Sequence, residues 1–424
     1  MVCDENFSLP QQPANVFVNG TVYCWDWTLG RSYWLNEQDY TCREFDRGSC
    51  WCPQLKADPD IAGIGVILAY LISAGLTLFA TFVCLLLSRT DGTRGPDGTW
   101  VAKFPTINAV DAVVRRRVCR VVVSWLEDRN WDTDVIAACA FDLVQALSDT
   151  QLVTGIAVLV AGMIGLTRKD SEKPMTVYHF TIVTDLAWFS SNAHLLSLLV
   201  LRSRGISAKE RRRRSWAVRL PIALRAGLMV TLACLLLYAS WITGFECWYY
   251  ELDCPAKCTT KYPKCGEPRM WMIVNFVLIL YSYPLHMFEL SLTARRLWLG
   301  HRNRFLGNPG AEHASASWGV VSLVRGVIFW LWNILASELF SVLELIAWFV
   351  LGCYWVFQDR SLGHNVMTAE ESSAEDKLGF GQLVPIVLLL LPLLGVAESY
   401  ADHTEEKKME NDCNCDGCEW HAGS

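Results

Sequence analysis

The sequence predicts an all-α membrane protein, a polytopic helix bundle of about seven transmembrane helices with its N-terminus outside the cytosol. Of its 424 residues, 52% are hydrophobic and only 19% are charged, whereas soluble domains average about 25% charged residues. The charged residues are absent from long blocks and concentrated between them, which is typical of a membrane protein. Several of these blocks reach the roughly 20 apolar residues that a spanning helix needs. The net charge of −6 gives no reason to expect nucleic acid as a partner.

Seven apolar stretches are predicted to span the lipid bilayer. They are 61–87, 147–166, 176–200, 220–243, 270–293, 336–357 and 379–396. The segments between them are predicted as a cysteine-rich outer tail (1–60), a cytosolic segment with amphipathic helices (88–146), a cysteine-rich outer loop (244–269), a polar linker (361–377) and an acidic cytosolic tail (397–424). From Glu398 onward we expect a disordered chain.

The stretch 318–357 has two interpretations. A single helix over it would be about 60 Å long, which is twice the thickness of the hydrocarbon core. We predict an interfacial helix over 317–332, followed by one span. The alternative is two spans, which would give eight in total and move the C-terminal tail to the other side of the membrane. In the first cytosolic segment, 106–128 is predicted as a basic amphipathic helix, either resting on anionic headgroups or packed as a solvated helix.

The orientation follows from the distribution of Lys and Arg, which favour cytosolic loops. With the N-terminus outside, the cytosolic segments hold 22 basic residues and the outer segments hold 13. The densest cluster, Lys209 with 211–214, then lies in the cytosol. The two glycosylation sequons, at Asn6 and Asn19, fall on the outer side.

The chain has 17 cysteines, and many of them cluster in the two predicted outer segments. Disulfides persist in oxidising compartments, so these cysteines are candidates for disulfide bonds. The candidates are Cys24, Cys42, Cys50, Cys52, Cys247, Cys254, Cys258 and Cys265. Their connectivity cannot be read from the sequence.

Polar residues within the predicted spans are candidates for a binding site, because such residues are costly in a bilayer. They are Asp185, Asn192, His194, Arg225, His286, Glu289 and Glu344. Most of them lie at a similar depth near the cytosolic boundary. They either form a shared buried network or extend to the interface one by one. Asp185 lies deeper in the membrane. It either forms a structural hydrogen bond between helices or belongs to a site for a ligand or a proton.

The third span carries polar residues on two faces, which predicts a central place in the bundle. In the second span, Ala157, Ala161 and Gly165 repeat every four residues, a stripe that predicts close packing against a neighbouring helix. The C-terminal tail carries Cys413, Cys415, Cys418 and His421, which could bind Zn²⁺ or Cu(I), although their spacing matches no standard zinc motif. Palmitoylation and inert thiols are the alternatives there. No cofactor is expected.

Three stretches carry a resemblance to a known family: SDTQLVTGIAVLVAGM (148–163), YHFTIVTDLAWFSSNAHLLSL (178–198) and GFGQLVPIVLLLLPL (379–393). In order and spacing they are similar to a large family of uncharacterised multi-pass membrane proteins of filamentous fungi. The resemblance covers roughly residues 100–400. It implies a fungal membrane protein and no particular activity. The cysteine-rich outer tail and the cysteines near the C-terminus lie outside the pattern.

Several function classes fit this architecture. A receptor-like or scaffolding protein would use the basic inner loops to contact a cytosolic protein. A transporter or channel would use the intramembrane polar residues. An intramembrane metal-dependent enzyme built on His194, His286 and Glu289 is a third hypothesis, and an accessory membrane protein of a biosynthetic pathway is a fourth. No soluble catalytic motif is present, so an enzyme is not expected. We expect the protein in the plasma membrane or a membrane of the secretory pathway.

Overall fold

The computed structural model of the chain describes most of its apolar helices and parts of the segments between them. The described residues are 17–18, 21–26, 31–36, 48–50, 55–87, 92–94, 100–102, 111, 113, 115–129, 131–167, 175–204, 216–246, 248, 252–253, 256, 267–290, 324, 327, 331, 334 and 337–415.

Long helices form one bundle, which confirms the predicted all-α fold. In chain order the helices are α1 (Ile64–Leu87), α2 (Arg120–Glu127), α3 (Thr133–Thr167), α4 (Val177–Arg204), α5 (Trp216–Thr243), α6 (Met270–Leu290), α7 (Glu338–Val366), α8 (Ala369–Asp376), α9 (Phe380–Leu388) and α10 (Leu390–Cys415). A π-helical turn, Arg115–Cys119, leads directly into α2.

The central helix of the bundle is α4. Every residue from 176 to 200 is buried, and α1, α3, α5, α6 and α7 all pack against this helix. This confirms the central position predicted for the third span. Six other segments of the described chain are long and apolar enough to cross a membrane, whereas α4 is not among them. Because its neighbours enclose it, α4 can carry polar groups that a lipid-facing helix cannot.

The close contact between α3 and α4 depends on glycine. A Cβ added at Gly155 would lie 2.4 Å from the Cβ of Ser190, and Gly162 is also buried on this face. The predicted stripe is wrong in register, because Ala157 and Ala161 are exposed on the opposite side of α3. Spacing alone cannot tell the two faces apart, since both carry small residues.

The helix α3 is longer than a bilayer is thick. With 35 residues, α3 is about 52 Å long, whereas the hydrocarbon core is about 30 Å thick. Its first part packs against α10, where the Ser399 hydroxyl donates to Asp142 Oδ2 at 2.5 Å and His403 Nε2 lies 3.3 Å from the same oxygen. The expectation of a disordered chain from Glu398 is therefore wrong, because α10 is helical to Cys415.

The segment predicted as a basic amphipathic helix, 106–128, contacts the start of α7. Asp111 is buried, and its carboxylate accepts the backbone N–H of Glu338 at 3.0 and 3.1 Å. A carboxylate at a helix N-terminus satisfies free N–H groups and complements the helix dipole. This contact ties the segment to the bundle.

The π turn and α2 present an apolar stripe outward. Val118, Val121 and Trp125 are 46%, 66% and 52% exposed, and their spacing of three and four residues places them on one face. The guanidinium of Arg129 lies 4.2 Å above the Trp125 ring. An exposed apolar stripe next to basic residues is typical of a helix at a membrane surface. Contact of this helix with lipid headgroups stays a prediction.

The extended backbone of Ser337 precedes α7. The Ser337 side chain caps α7 by accepting the N–H of Phe340 at 3.0 Å. Before it, four described positions are helical and exposed; they are Val324, Val327, Leu331 and Ile334. The chain from 318 to 357 is therefore not one straight helix. Whether the first part lies at the interface or spans the membrane stays a prediction.

The sequence predicted a polar linker over 361–377, and this prediction is wrong. Instead, α7 continues to Val366, and Thr368 caps the short helix α8 by accepting the N–H of Glu371 at 3.4 Å. The side chain of Glu375 in α8 has no exposed surface. The polar composition of this segment did not predict the packing, because most partners of Glu375 lie far away in the sequence.

Glu375 joins three parts of the chain, and we call this group of contacts the Glu375 clasp. Its Oε2 accepts the hydroxyl of Tyr178 at 2.8 Å and lies 3.0 Å from Nε2 of His364. Its Oε1 lies 3.5 Å from Nε2 of His179 and accepts the backbone N–H of Asp58 at 3.2 Å. The clasp thus ties the segment before α1 and the start of α4 to α7 and α8.

The clasp keeps Glu375 ionised. Burial alone would raise the pKa of this carboxyl. The nearby His179 imidazole and the hydrogen bonds from Tyr178 and the Asp58 backbone N–H outweigh burial and hold the pKa of Glu375 below its usual value.

The predicted span 379–396 consists of two helices, α9 and α10, which meet at Leu389. The side chain of Gln382 anchors α9, because it accepts the N–H of Gly65 at 3.0 Å and donates to the carbonyl of Lys377 at 3.0 Å. A Cβ at Gly63 or Gly65 would lie within 2.6 Å of Gln382. Because Gly63 and Gly65 have no side chains, α9 can approach the start of α1 closely.

Two small sheets accompany the bundle. Strands β1 (Phe17–Val18), β2 (Thr21–Asp26), β3 (Arg31–Asn36) and β4 (Gly48–Cys50) are antiparallel, with β2 in the middle. Strands β5 (Gly92–Arg94) and β6 (Trp100–Ala102) form a separate pair. The sequence analysis did not predict these strands.

The backbone register of the first sheet places Cys24 opposite Cys50. The other six disulfide candidates and both sequon asparagines lie outside the described residues; they are Cys42, Cys52, Cys247, Cys254, Cys258, Cys265, Asn6 and Asn19. Disulfides and glycans at these positions stay predictions.

The glycine contact between α3 and α4 leads to a stability prediction. Gly155→Ala should lower the free energy of unfolding by about 1–3 kcal/mol, because the new methyl group overlaps Ser190. Gly227→Ala on α5 is the matched control, since a Cβ there meets nothing within 4 Å. Unfolding of the purified protein in detergent, followed by tryptophan fluorescence, measures both. Equal stability of the two variants would contradict the close approach.

The Glu375 clasp leads to a prediction about pH. Because its pKa is lower in the folded protein than in the unfolded chain, Glu375 stabilises the fold above the unfolded pKa of about 4.3 and loses this effect as the pH falls through the folded value. Glu375→Gln should cost about 1–3 kcal/mol near neutral pH. The difference in melting temperature between wild type and variant should shrink in acid. A constant difference would contradict the clasp.

Candidate functional site

The polar residues of α4 lie at two levels. Thr181, Thr184 and Asp185 form one level, and a group from Ser190 to Ser197 forms the other. Asp185 and His194 are nine residues apart, which is about 13 Å along the helix axis. The two levels therefore have different neighbours.

The first level opens into a cavity between α4, α5, α6 and α7, which we call the Asp185 cavity. Its ionisable lining residues are Asp185, Asp359 in α7 and Arg269 just before α6. The cavity has a volume of about 60 Å³, and one water molecule takes up roughly 10–15 Å³ when volume is measured in the same way. The cavity therefore has room for several waters or for one small molecule.

Asp185 and Asp359 are both buried and line the same cavity, where their carboxyl groups interact directly. Two carboxyl groups that share a buried site favour a state with one proton between them. Of the two, Asp359 is the one on which the positive charge of Arg269 acts. A negative charge is therefore more favourable on Asp359, which favours the proton on Asp185.

Four polar atoms of the residues that line the cavity have no hydrogen-bond partner among the described residues. They are Asp185 Oδ2, Ser240 Oγ, Asn275 Oδ1 and Trp355 Nε1. A buried polar group without a partner costs about 1–3 kcal/mol. Such groups are normally satisfied by water or by a ligand, so these four atoms mark where a bound molecule would be held.

An aromatic layer separates the Asp185 cavity from the second polar level. Trp188 stacks on Trp348 with ring centroids 4.5 Å apart, and its indole N–H donates to the Trp348 carbonyl at 3.0 Å. Trp355 packs edge-on against Trp188 at 5.3 Å and also lines the cavity. Phe189 and Phe349 extend the layer.

At the second level, polar side chains of α4 bond to neighbouring helices one by one. His194 Nδ1 lies 2.9 Å from the Ser148 hydroxyl, and Ser190 donates to Gln151 Oε1 at 2.9 Å. Asn192 donates to the backbone carbonyl of Leu345 at 2.9 Å. These bonds join α4 to α3 and α7.

The Ser148–His194 contact resembles part of a nucleophile–base pair. Both side chains are completely buried, however, and His194 Nε2 has no partner among the described residues. No third group that would orient the imidazole is in place. This arrangement favours a structural role.

The structure divides the remaining predicted residues between two pairs of helices. Arg225 on α5 pairs with Asp149 and donates to Gln145 Oε1 at 2.7 Å, both on α3. These charged groups are partly exposed. On this side of the bundle, the described hydrogen bonds therefore form a separate group and do not join the other predicted residues in one network.

On the other side of α4, Glu344 of α7 accepts the hydroxyl of Ser282 on α6. His286 Nδ1 lies 3.0 Å from the carbonyl of Ser282, one turn earlier in the same helix. Glu289 lies in the last turn of α6, and its side chain is not among those described. A binding role for these residues stays a prediction.

The described residues include no group of three or more His, Cys, Asp or Glu side chains that could hold a metal ion. Cys413 and Cys415 lie in the last turn of α10, where only the backbone is described, and Cys418 and His421 lie outside the described residues. The metal site suggested for the C-terminal cysteines therefore stays a prediction.

Sequence reasoning found Asp185 but missed Asp359 and Arg269. The sixth span was predicted to end at residue 357, so Asp359 was assigned to an outer loop. Because α7 continues to Val366, Asp359 lies inside the helix. The run VFQDRSL at 356–362 contained a usable signal, since its charged residues follow the apolar stretch without a turn residue.

The fold and its buried polar levels define a polytopic α-helical membrane protein. One curated relative is similar to this chain, a protein of the fungus Elsinoe fawcettii described as "Elsinochromes biosynthesis cluster protein HP3". The two are 28% identical over 154 residues, which cover 36% of this chain and 49% of the relative. The chain thus matches about half the length of that protein. No family model and no solved structure matches the chain.

The carboxyl pair leads to an asymmetric prediction. Asp185→Asn should change the melting temperature little, because the amide N–H₂ replaces the donated proton toward Asp359. Asp359→Asn should lower the free energy of unfolding by about 1–3 kcal/mol, since the charge of Arg269 loses a counter-charge. Thermal unfolding of both variants in the same detergent tests this. If Asp185→Asn proved more destabilising than Asp359→Asn, the proton would belong on Asp359 and the assignment would be wrong.

Proposed function

We propose that this chain is an accessory membrane protein of a fungal biosynthetic cluster that binds a small polar molecule in the Asp185 cavity. The observation that carries this proposal is the set of four cavity atoms without partners among the described residues, Asp185 Oδ2, Ser240 Oγ, Asn275 Oδ1 and Trp355 Nε1. A molecule with complementary hydrogen-bonding groups would recover the free energy that these atoms lose on burial. Aromatic walls with a few convergent polar groups are typical of small-molecule sites.

The accessory role rests on two supports. The relative from Elsinoe fawcettii carries a name that refers to a biosynthesis cluster and to no reaction. In this chain, His194 Nδ1 lies against the Ser148 hydroxyl of a neighbouring helix, and His286 Nδ1 lies against the backbone carbonyl of Ser282 in its own helix. Both features favour a protein that holds a molecule over one that transforms it.

A receptor-like protein would share the same binding step. It would differ in a second step, in which occupation of the cavity changes a cytosolic surface. The part of α3 and α10 that extends beyond the bilayer thickness, joined through Asp142 and Ser399, offers such a surface. Binding of a cytosolic protein that depends on cavity occupation would favour the receptor.

A transporter is the second candidate, favoured by the aromatic layer. Trp188 and Trp348 separate two polar levels, as a closed gate between two half-sites would. Uptake of a cavity ligand into proteoliposomes that is lost in Asp185→Asn would favour transport. Binding without uptake would leave the accessory role.

The binding proposal predicts a ligand-dependent stability. A molecule that occupies the cavity should raise the free energy of unfolding by about 2.7 kcal/mol at one hundred times its Kd. The probes are methylammonium, acetate and glycerol, added to the detergent-purified protein in a thermal-unfolding assay. Ser240→Val should abolish the stabilisation, because it removes a cavity hydroxyl and fills space. Thr231→Val on the same helix is the matched control, since Thr231 is exposed and outside the cavity. A Ser240→Val response equal to that of the control would overturn the site.

A further inference from the structure

We propose that the Asp185 cavity binds a small organic ammonium ion, which takes the place of the proton that Asp185 and Asp359 share. This inference rests on the proposed function and names the chemical class of its ligand. It follows from the charge balance of the cavity, from the type of its unpartnered atoms and from its aromatic walls.

The charge balance favours exchange of one cation for another. With its single proton, the pair carries one negative charge, and Arg269 is the cationic side chain among the residues that line the cavity. The other lining residues of the cavity are not ionisable. Addition of an anion, or of a cation without loss of the proton, would leave a net charge in a buried space, which is costly. Replacement of the proton by one ammonium ion keeps the cavity neutral.

Three of the four unpartnered atoms can accept a hydrogen bond. Asp185 Oδ2 and Asn275 Oδ1 accept, the Ser240 hydroxyl accepts as well as donates, and the Trp355 indole N–H only donates. An ammonium group has three N–H donors and no acceptor. It therefore matches the three acceptors, whereas a carboxylate ligand would meet lone pairs at Asp185 and Asn275.

The aromatic residues suit the same class of ligand. Trp271 and Trp355 both line the cavity, with ring centroids 5.5 Å apart in an edge-to-face arrangement. The face of an indole ring attracts an organic cation. The alkyl part of an ammonium ion also gains from apolar contact, which a metal cation cannot use.

The exchange involves one proton. In the empty cavity, the Asp185 carboxyl donates its proton to Asp359. When the ammonium ion enters, the O–H bond of Asp185 breaks and the proton leaves to solvent. The Asp185 carboxylate then accepts a hydrogen bond from the ammonium group. Protons and charges balance, and no other bond changes.

The test is calorimetric titration of the full-length protein in detergent with methylammonium chloride. Repetition in two buffers with different ionisation enthalpies gives the number of protons released. We expect about one proton per bound ion and an affinity that rises about tenfold for each pH unit while Asp185 is protonated. Binding without proton release would overturn the inference.

Variants and other probes separate this inference from the proposed function. Asp185→Asn should lose methylammonium binding and remain folded, because an amide has no proton to exchange. Asp149→Asn removes a carboxylate far from the cavity and should bind as wild type does. Unchanged binding in Asp185→Asn would overturn the inference. Tighter binding of sodium, acetate or glycerol than of methylammonium would reject the ammonium class and keep a small-molecule site. If no probe binds, both proposals fail.

Discussion

The enclosure of α4 by less polar helices is the constraint on which the rest of the structure depends. A helix that carries Asp185, Asn192 and His194 cannot face lipid, because polar groups in hydrocarbon are costly. Its neighbours shield it over residues 176–200. In return, α4 offers a partner for a hydrogen bond to α3, α6 and α7. These bonds fix the arrangement of helices that lipid-facing apolar surfaces alone would leave free to slide.

The same enclosure explains how the two polar levels differ. At the level of His194, the side chains of Ser190, Ser191, Asn192 and His194 each bond to an adjacent helix, although Asn192 Oδ1 and His194 Nε2 have no partner among the described residues. No cavity is described at this level. At the level of Asp185, the helices leave a space, and several groups there lack partners. The stacked indoles of Trp188 and Trp348 keep the levels apart. One helix thus supplies both the structural contacts and the site.

Much of this architecture could be predicted from the sequence, because lipid-facing helices must be apolar and long. The central place of the third span followed from its polar faces, and Asp185 stood out by its depth. What escaped prediction depended on contacts between distant parts of the chain. Glu375 lies in a segment with the composition of a loop, and most of its partners are distant in the sequence; Tyr178 and His179 come almost 200 residues earlier. Asp359 escaped because hydropathy ended the helix too early, and the glycine face of α3 because two faces carry small residues.

The helix α7 connects distant parts of the molecule. At its first turn it is held by Asp111, midway it carries Trp348, and near its end it carries Asp359 and His364. The helix is unbroken over 29 residues, so Glu338 and Asp359 lie about 31 Å apart along its axis. The contact with Asp111, the stacked indoles and the wall of the cavity therefore share one continuous support.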